Sequence, residues 1–257
     1  LPLDLRTPEN PETLLPRDVP LEARLRLDPV ALRDLTLLRA PFSSPAPLPR
    51  KKAAPLPEGI VAAELTAHGT LAAPVADLAL QLREFRLPES AKAPPAALDA
   101  ALHFEQNRLT LSGTASVPDV TPLRFSGEIP LPLREVLRTR RLDPATPLKL
   151  QAQLPPTSAA AIPRLAPKLR FVEGQLALDA TVTGSLERPV FGGEIQIRLP
   201  AIRFRDANLP GINNLTVDLR LEGDRLQVRR FTGDVSGGPF SLGGNVGLST
   251  PANPELD

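Results

Sequence analysis

The chain has no cysteine, methionine, tryptophan or tyrosine, and only two histidines, His68 and His103. Without cysteine it can form neither a disulfide nor a thiolate metal site, which leaves every redox compartment open. Without tryptophan and tyrosine it lacks the usual stacking platforms. Its 30 Lys and Arg nearly cancel its 29 Asp and Glu, leaving a net charge of +1. Nucleic acid is therefore not expected as a partner. No apolar run approaches ~18 residues, so no transmembrane helix is expected within it. A chain that opens on Leu1 and holds no methionine is expected to be a segment of a longer protein, with any signal or anchor outside it.

What the chain has in abundance is proline, 32 in 257 residues. That density rules out long helices and favours short strands joined by turns. Nine Phe are the sole aromatics, so the apolar interior must be built from Leu, Val, Ile and Ala. Four segments follow from the patterning. Residues 1–57 are Pro-rich, with one strand whose Leu21, Ala23, Leu25 and Leu27 alternate with charged residues. Asp28-Pro29 then reads as a helix start running to about Leu38. Residues 58–131 hold a first β repeat, 132–174 a connection with a strand and short helices, and 175–257 a second β repeat. In the connection, Leu133–Arg141 reads as a turn or two of helix, Leu148–Leu154 as a strand, and Ser158–Leu165 as a short helix interrupted by Pro163.

The two repeats share a motif. Gly69, Leu71, Pro74 and Val75 match Gly184, Leu186, Pro189 and Val190 at an offset of 115 residues. Within each repeat, apolar residues alternate with polar ones at period 2, the mark of strands with one buried face. In the first, Leu65, then Leu78, Leu80 and Leu82, then Leu102 and Phe104 share the apolar side. Gln106-Asn107 is expected to turn the chain into Leu109 and Leu111, and Phe125 follows. In the second, the same side takes Leu176, Leu178 and Val182, then Ile195, Ile197 and Leu199. Leu215, Val217, Leu219 and Leu221 come next, and a Gly223-Asp224 turn leads to Leu226 and Val228. Phe240, Leu242, Val246 and Leu248 close the unit, with Gly237-Gly238 and Gly243-Gly244 at a turn and a bulge.

About a dozen one-sided strands leave a large apolar surface to account for. Two sheets face to face would enclose a core ~10 Å thick, usually filled by large side chains. The inward residues here are mostly Leu, Val and Ala, with few Phe, and no long amphipathic helix is available as a lid. Two architectures stay open: a closed core that binds nothing, or one sheet curled lengthwise around an apolar trough, with Gly and Pro supplying the bends. Such a trough suits an acyl chain, since each CH₂ moved out of water gains ~0.8 kcal/mol.

The segments Gly184–Ile195 (GSLERPVFGGEI), Asn214–Val228 (NLTVDLRLEGDRLQV) and Phe231–Gly244 (FTGDVSGGPFSLGG) resemble the repeats of the TamB family, within the AsmA-like and bridge-like lipid-transfer superfamily. The resemblance is strongest over residues 170–250 and fair over 58–130. It implies an all-β fold: an elongated, curled antiparallel sheet ("β-taco") with a hydrophobic groove and a few short helices. It also implies a periplasmic segment of a protein anchored in the bacterial inner membrane, whose groove, lined by the inward residues above, shields phospholipid acyl chains between inner and outer membranes. An alternative within the family is a scaffold that assists outer-membrane barrel assembly with an Omp85-type partner. A third reading is a purely structural stalk. The family brings no catalytic residues, metal or cofactor.

No nucleophile elbow, phosphate-binding loop or dinucleotide fingerprint is present. Both histidines fall on the polar side, and no carboxylate pair stands out as acid and base, so enzymatic activity is not expected. The glycines of Gly243–Gly247 (GGNVG) lie in a strand pattern, which favours a bulge over a phosphate site. The basic runs Arg50-Lys51-Lys52 and Arg138–Arg141 read as solvated loops or as contacts for anionic headgroups. Arg203 and Arg205, flanking Phe204, read as groove-rim or strand-edge charges.

Overall fold

The computed structural model describes residues 20–35, 57–70, 72–86, 94–139, 141–166 and 168–247. Thirteen strands among them form one antiparallel sheet that does not close into a barrel. In chain order these are β1 (Pro20–Ala31), β2 (Glu58–Thr70), β3 (Pro74–Arg86), β4 (Ala96–Glu105), β5 (Arg108–Ser116), β6 (Leu123–Pro130) and β7 (Lys149–Ser158). They continue as β8 (Leu169–Gly184), β9 (Pro189–Phe204), β10 (Ile212–Gly223), β11 (Arg225–Val235), β12 (Gly238–Ser241) and β13 (Gly244–Gly247). Spatial order equals chain order up to β12, and β13 lies beside β11 in line with β12. Each strand therefore meets its chain neighbours and little else, so the sheet is close to a one-dimensional array. Short helices α1 (Leu32–Leu35), α2 (Leu133–Thr139) and α3 (Ile162–Leu165), with a 3-10 turn at Ala159–Ala161, complete the described structure.

The shared motif of the two repeats is a hairpin loop. Gly69 pairs with Pro74 and Gly184 with Pro189 across it. Both glycines take positive φ, 102° and 89°. A Cβ there would lie 2.6 Å from the Ala73 carbonyl oxygen or 2.5 Å from that of Arg188, too close for any other residue. The Thr or Ser that follows is equally specified. Thr70 Oγ1 accepts from the Ala73 N–H at 3.2 Å, and Ser185 Oγ from the Arg188 N–H at 3.1 Å. Glycine for the bend, a hydroxyl to cap the loop and proline to enter the next strand account for those three positions of G-[TS]-L-x-x-P without any ligand; Leu71 lies outside the described residues.

The expected Gln106-Asn107 turn is present, with φ of 50° and 60°, as the mirror-image hairpin turn requires. Gly223-Asp224 also turns the chain, with Gly223 at φ 68°. The next turn is centred on Ser236-Gly237 rather than Gly237-Gly238, which leaves Gly238 to begin β12. The bulge expected at Gly243-Gly244 lies instead on β11: the chain leaves the strand at Leu242-Gly243, and Gly244 begins β13 paired with Val228. There β11 has three residues, Arg229–Phe231, against Leu242 and Gly243.

Three expectations are corrected. Asp28-Pro29 does not open a helix: β1 continues to Ala31, and α1 begins at Leu32. The pairing of Leu27 with Ala63 and Val30 with Val61 leaves Pro29 in a bulge, where it owes no ladder hydrogen bond. Likewise β7 runs through Pro155-Pro156 to Ser158, because its register shifts between Leu154 and Thr157. Pro163 starts α3 instead of interrupting it. The helix expected at Leu133–Arg141 is α2. Leu248, the basic run at Arg50–Lys52, and the ends of the first and last segments lie outside the described residues.

Candidate functional site

Because the pairs are in register, every side chain can be assigned to a face. One row crosses twelve strands: Leu27, Ala63, Leu80, Ala100, Gly113, Phe125, Ala152, Ala180, Gly193, Leu221, Leu226 and Val246. A parallel row beside it runs Leu25, Leu65, Leu78, Leu102, Leu111, Gly127, Leu150, Val182 and Phe191. On its other side, Leu154, Leu178, Ile195, Leu219 and Val228 align, then Thr157, Leu176, Ile197, Val217 and Phe231. Leu82 with Val61 and Leu98, Phe104 with Leu109, and Leu199 with Leu215 fall on the same side. Phe240 joins it opposite Gly233, its ring centroid 6.0 Å from that of Phe231. All the candidate residues in paired strands therefore share one face. Leu242 sits outside the strands, its N–H bonded to the Phe231 carbonyl, and is 59% exposed.

Half of the central row is Ala or Gly, and Phe125 stands among these between Gly113 and Ala152. Ala100, Gly113, Ala152, Ala180 and Gly193 run between flanking rows of Leu, Val and Phe, across five strand spacings of roughly 4.8 Å each. Phe125 lies over Gly113: a Cβ on that glycine would meet its ring at 2.4 Å. Phe240 covers Gly233 in the same way, and Leu150 covers Gly127. Large side chains thus fill the space above glycine on the neighbouring strand, which explains these mid-strand glycines.

Little covers this face. Among the described residues, buried apolar side chains are few: Val61, Phe104, Leu148, Ala159, Ala161, Val172, Leu199, Ile202 and Val217. No large side chain is less than 2% exposed. Most of the row residues are half-buried. The exception is the outer end of β8 and β9. There Ala159, fully buried, and Ile162 sit on Val172, Leu199 and Ile202, so the 3-10 turn and α3 act as a local lid. At another corner Leu32 of α1 and Leu82 both lie against Gly59.

The opposite face is built for water. Arg83 binds Asp99 in two bonds of 3.0 and 2.6 Å, Arg108 meets Glu128 at 2.8 Å, and Arg24 meets Glu64 at 2.5 Å. Gln153 donates to Asp179 at 3.1 Å, and Arg229 reaches Glu194 at 3.4 Å. Shallow depressions lined by Gln153, Asp179, Glu194 and Gln196, and by Arg198, Asp218 and Arg230, lie over this charged surface. Exposed cross-strand pairs of this kind set register more than they add stability.

His103 belongs to this face, directly opposite Asp77, with Nδ1 2.7 Å from Oδ1. That hydrogen bond raises the His103 pKa above the ordinary 6.5. Modest desolvation opposes the shift, and Glu105 at 3.6 Å adds to it. His68 is exposed on β2, opposite Glu22. Among the described residues, no group of three or more His, Asp or Glu is placed to hold a metal. The raised pKa has a testable sign. Charged His103 stabilises the fold below the unfolded-state pKa, and that contribution is lost as pH rises through the higher folded value. Asp77→Asn is expected to lower the His103 pKa in an NMR titration; an unchanged midpoint would show that the Asp77 bond is not the cause.

Comparison with family models, with characterised proteins and with solved structures returns no match. The site is therefore argued from its own geometry. That geometry also enlists residues not singled out from the sequence as lining: Leu25, Leu150, Leu154, Phe191 and Phe231; Leu98 follows from the alternation with Leu102 and Phe104. The alternation around Leu150 and Leu154 carried the signal. Phe191 was hidden in the turn-like PVFGG, and Phe231 lies just past the bulge at Arg229.

Proposed function

We propose that this chain is a periplasmic segment of a TamB-like, inner-membrane-anchored lipid-transfer protein. Its apolar face curls into a groove that shields phospholipid acyl chains between inner and outer membranes. One observation carries the reading: an apolar face continuous across twelve strands with almost no protein layer over it. A soluble sheet keeps such a surface only if something apolar occupies it, because monomers rarely expose contiguous apolar patches beyond a few hundred Å². An acyl chain of ~15 methylenes gains on the order of 10 kcal/mol by leaving water, before ordering costs. The charged back of the sheet faces the aqueous periplasm. The resemblance of Gly184–Ile195 and Asn214–Val228 to the TamB repeats supports the same reading. The test is organic extraction of the folded, purified chain followed by mass spectrometry: phospholipid near molar stoichiometry is expected, and a lipid-free chain that stays monomeric and folded contradicts the proposal.

The scaffold reading rests on a different feature. Among the described residues β1 pairs with β2 alone, so its outer edge offers free backbone groups, and Leu25 on it is 65% exposed. A barrel strand could add there. Crosslinks to an unfolded barrel client confined to β1, with none on the apolar face, would favour it.

A further inference from the structure

The outer end of β8 and β9 breaks the pattern of the charged face. Antiparallel pairing brings 168–171 (Lys, Leu, Arg, Phe) beside 203–206 (Arg, Phe, Arg, Asp): the Arg205 N–H bonds the Lys168 carbonyl at 3.0 Å, and Phe171 pairs with Arg203. Four cations against one carboxylate give these eight residues a net charge of +3 (4 − 1). Elsewhere on this face Arg83, Arg108 and Arg229 meet carboxylates, although the isolated Arg124 and Arg198 do not among the described residues. Here Lys168, Arg170 and Arg205 are exposed, with no acidic partner among the described residues. Arg203 is held by neutral acceptors, the carbonyls of Ile202 (2.8 Å) and Ile212 (3.3 Å) and Asn213 Oδ1 (2.8 Å), so its charge is fixed in place and uncompensated. Asp206 is occupied by the Asn208 backbone and side chain at 2.9 and 3.0 Å.

Exposed apolar groups gather at the same end. Leu165 is 41% exposed, Phe171 48% and Leu209 52%. Arg170, Phe171, Arg203 and Leu209 line one open depression there, together with Asp206. Unpaired cations interleaved with protruding Phe and Leu are what a bilayer interface selects: the apolar groups enter the acyl boundary, and the long basic side chains reach phosphate oxygens.

We propose that this end of the sheet docks on an anionic lipid bilayer, with Lys168, Arg170, Arg203 and Arg205 on headgroup phosphates and Phe171 and Leu209 inserted between them. The proposal does not depend on acyl chains occupying the large face. A free phosphate would use the cations and leave Phe171 and Leu209 without a role. An acidic protein would have to supply an apolar pocket for Phe171 and Leu209 as well as carboxylates for the cations.

The test is flotation of the purified chain with vesicles of phosphatidylcholine alone, or with about one lipid in three replaced by phosphatidylglycerol. Binding is expected only to the anionic vesicles, and it should fall steeply towards 1 M salt, where the Debye length is about 3 Å. Each cation near such a surface is worth about a fivefold change in affinity, so Lys168→Gln/Arg170→Gln/Arg205→Gln should weaken binding on the order of a hundredfold. Phe171→Ser/Leu209→Ser should weaken it further. All five positions are exposed, and circular dichroism checks that the variants fold. Arg83→Gln/Arg108→Gln, on the charged face far from this end, should bind vesicles like the parent; flotation reads this end, whereas lipid extraction of the purified chain reads the acyl-chain face, so the two failures are distinguishable. Equal binding to neutral vesicles, parent-like binding by the triple variant, or displacement by inorganic phosphate at constant ionic strength would each overturn the proposal. So would retention of polyglutamate without vesicle binding, which would assign the patch to an acidic protein.

Discussion

Leu219→Asp is expected to cut co-purifying phospholipid at least tenfold while leaving the sheet folded. Leu219 lies between Ile195 and Val228 on the apolar face, half-buried and outside the lidded cluster. A carboxylate there keeps its hydration only by holding the cargo away. Each methylene that lifts off loses ~0.8 kcal/mol, so two already exceed the ~1.4 kcal/mol of a tenfold change. The protein loses less, since the side chain still reaches water and no closed cavity is left; about 1–2 kcal/mol is expected. Lipid mass spectrometry and thermal melting on the same preparation separate the two effects. Unfolding of the whole sheet by this substitution would instead mean that the face is a packed core. Ile197 is the poorer choice for this test, because it packs against the lidded cluster and would mix cargo loss with unfolding.

The reverse outcome is expected for Ala159→Asp. Ala159 is fully buried against Val172, Leu199 and Ile202. An unpaired carboxylate there cannot stay ionised without expelling the lid, at a cost of about 3–5 kcal/mol. Because each strand contacts mainly its chain neighbours, the damage should stay local. Hydrogen exchange should show lost protection in the 3-10 turn, α3 and the outer halves of β8 and β9, with β2–β5 unchanged. Uniform loss of protection along the sheet would show that it unfolds as one cooperative unit.

The strands and their faces were legible because each strand keeps strict alternation, and a one-residue slip would put Leu219 in water and Asp218 inside. The turn chemistry was legible where the residue favours positive φ, as at Asn107 and Gly223. The ends of elements were not. Asp28-Pro29 has every local feature of a helix start, yet pairing with β2 absorbs it as a bulge; Pro155-Pro156 is absorbed into β7 in the same way. Long-range juxtapositions were hidden altogether. The cationic end joins 168–171 to 203–206, and only the register of β8 and β9 brings them together. His103 and Asp77 meet for the same reason, one strand apart in the sheet and 26 residues apart in the chain.

Neighbouring residues on one strand offer the most direct test of a face that carries lipid. Leu80 and Gln81 share the same strand and the same depth in the sheet but point to opposite sides. With a photocrosslinking amino acid at each position in turn, in cells that make the protein, lipid adducts are predicted at position 80 and none at 81. The same alternation should recur at Leu219 and Arg220. Adducts at both positions of a pair, or at neither while protein crosslinks form at Leu80, would contradict the account.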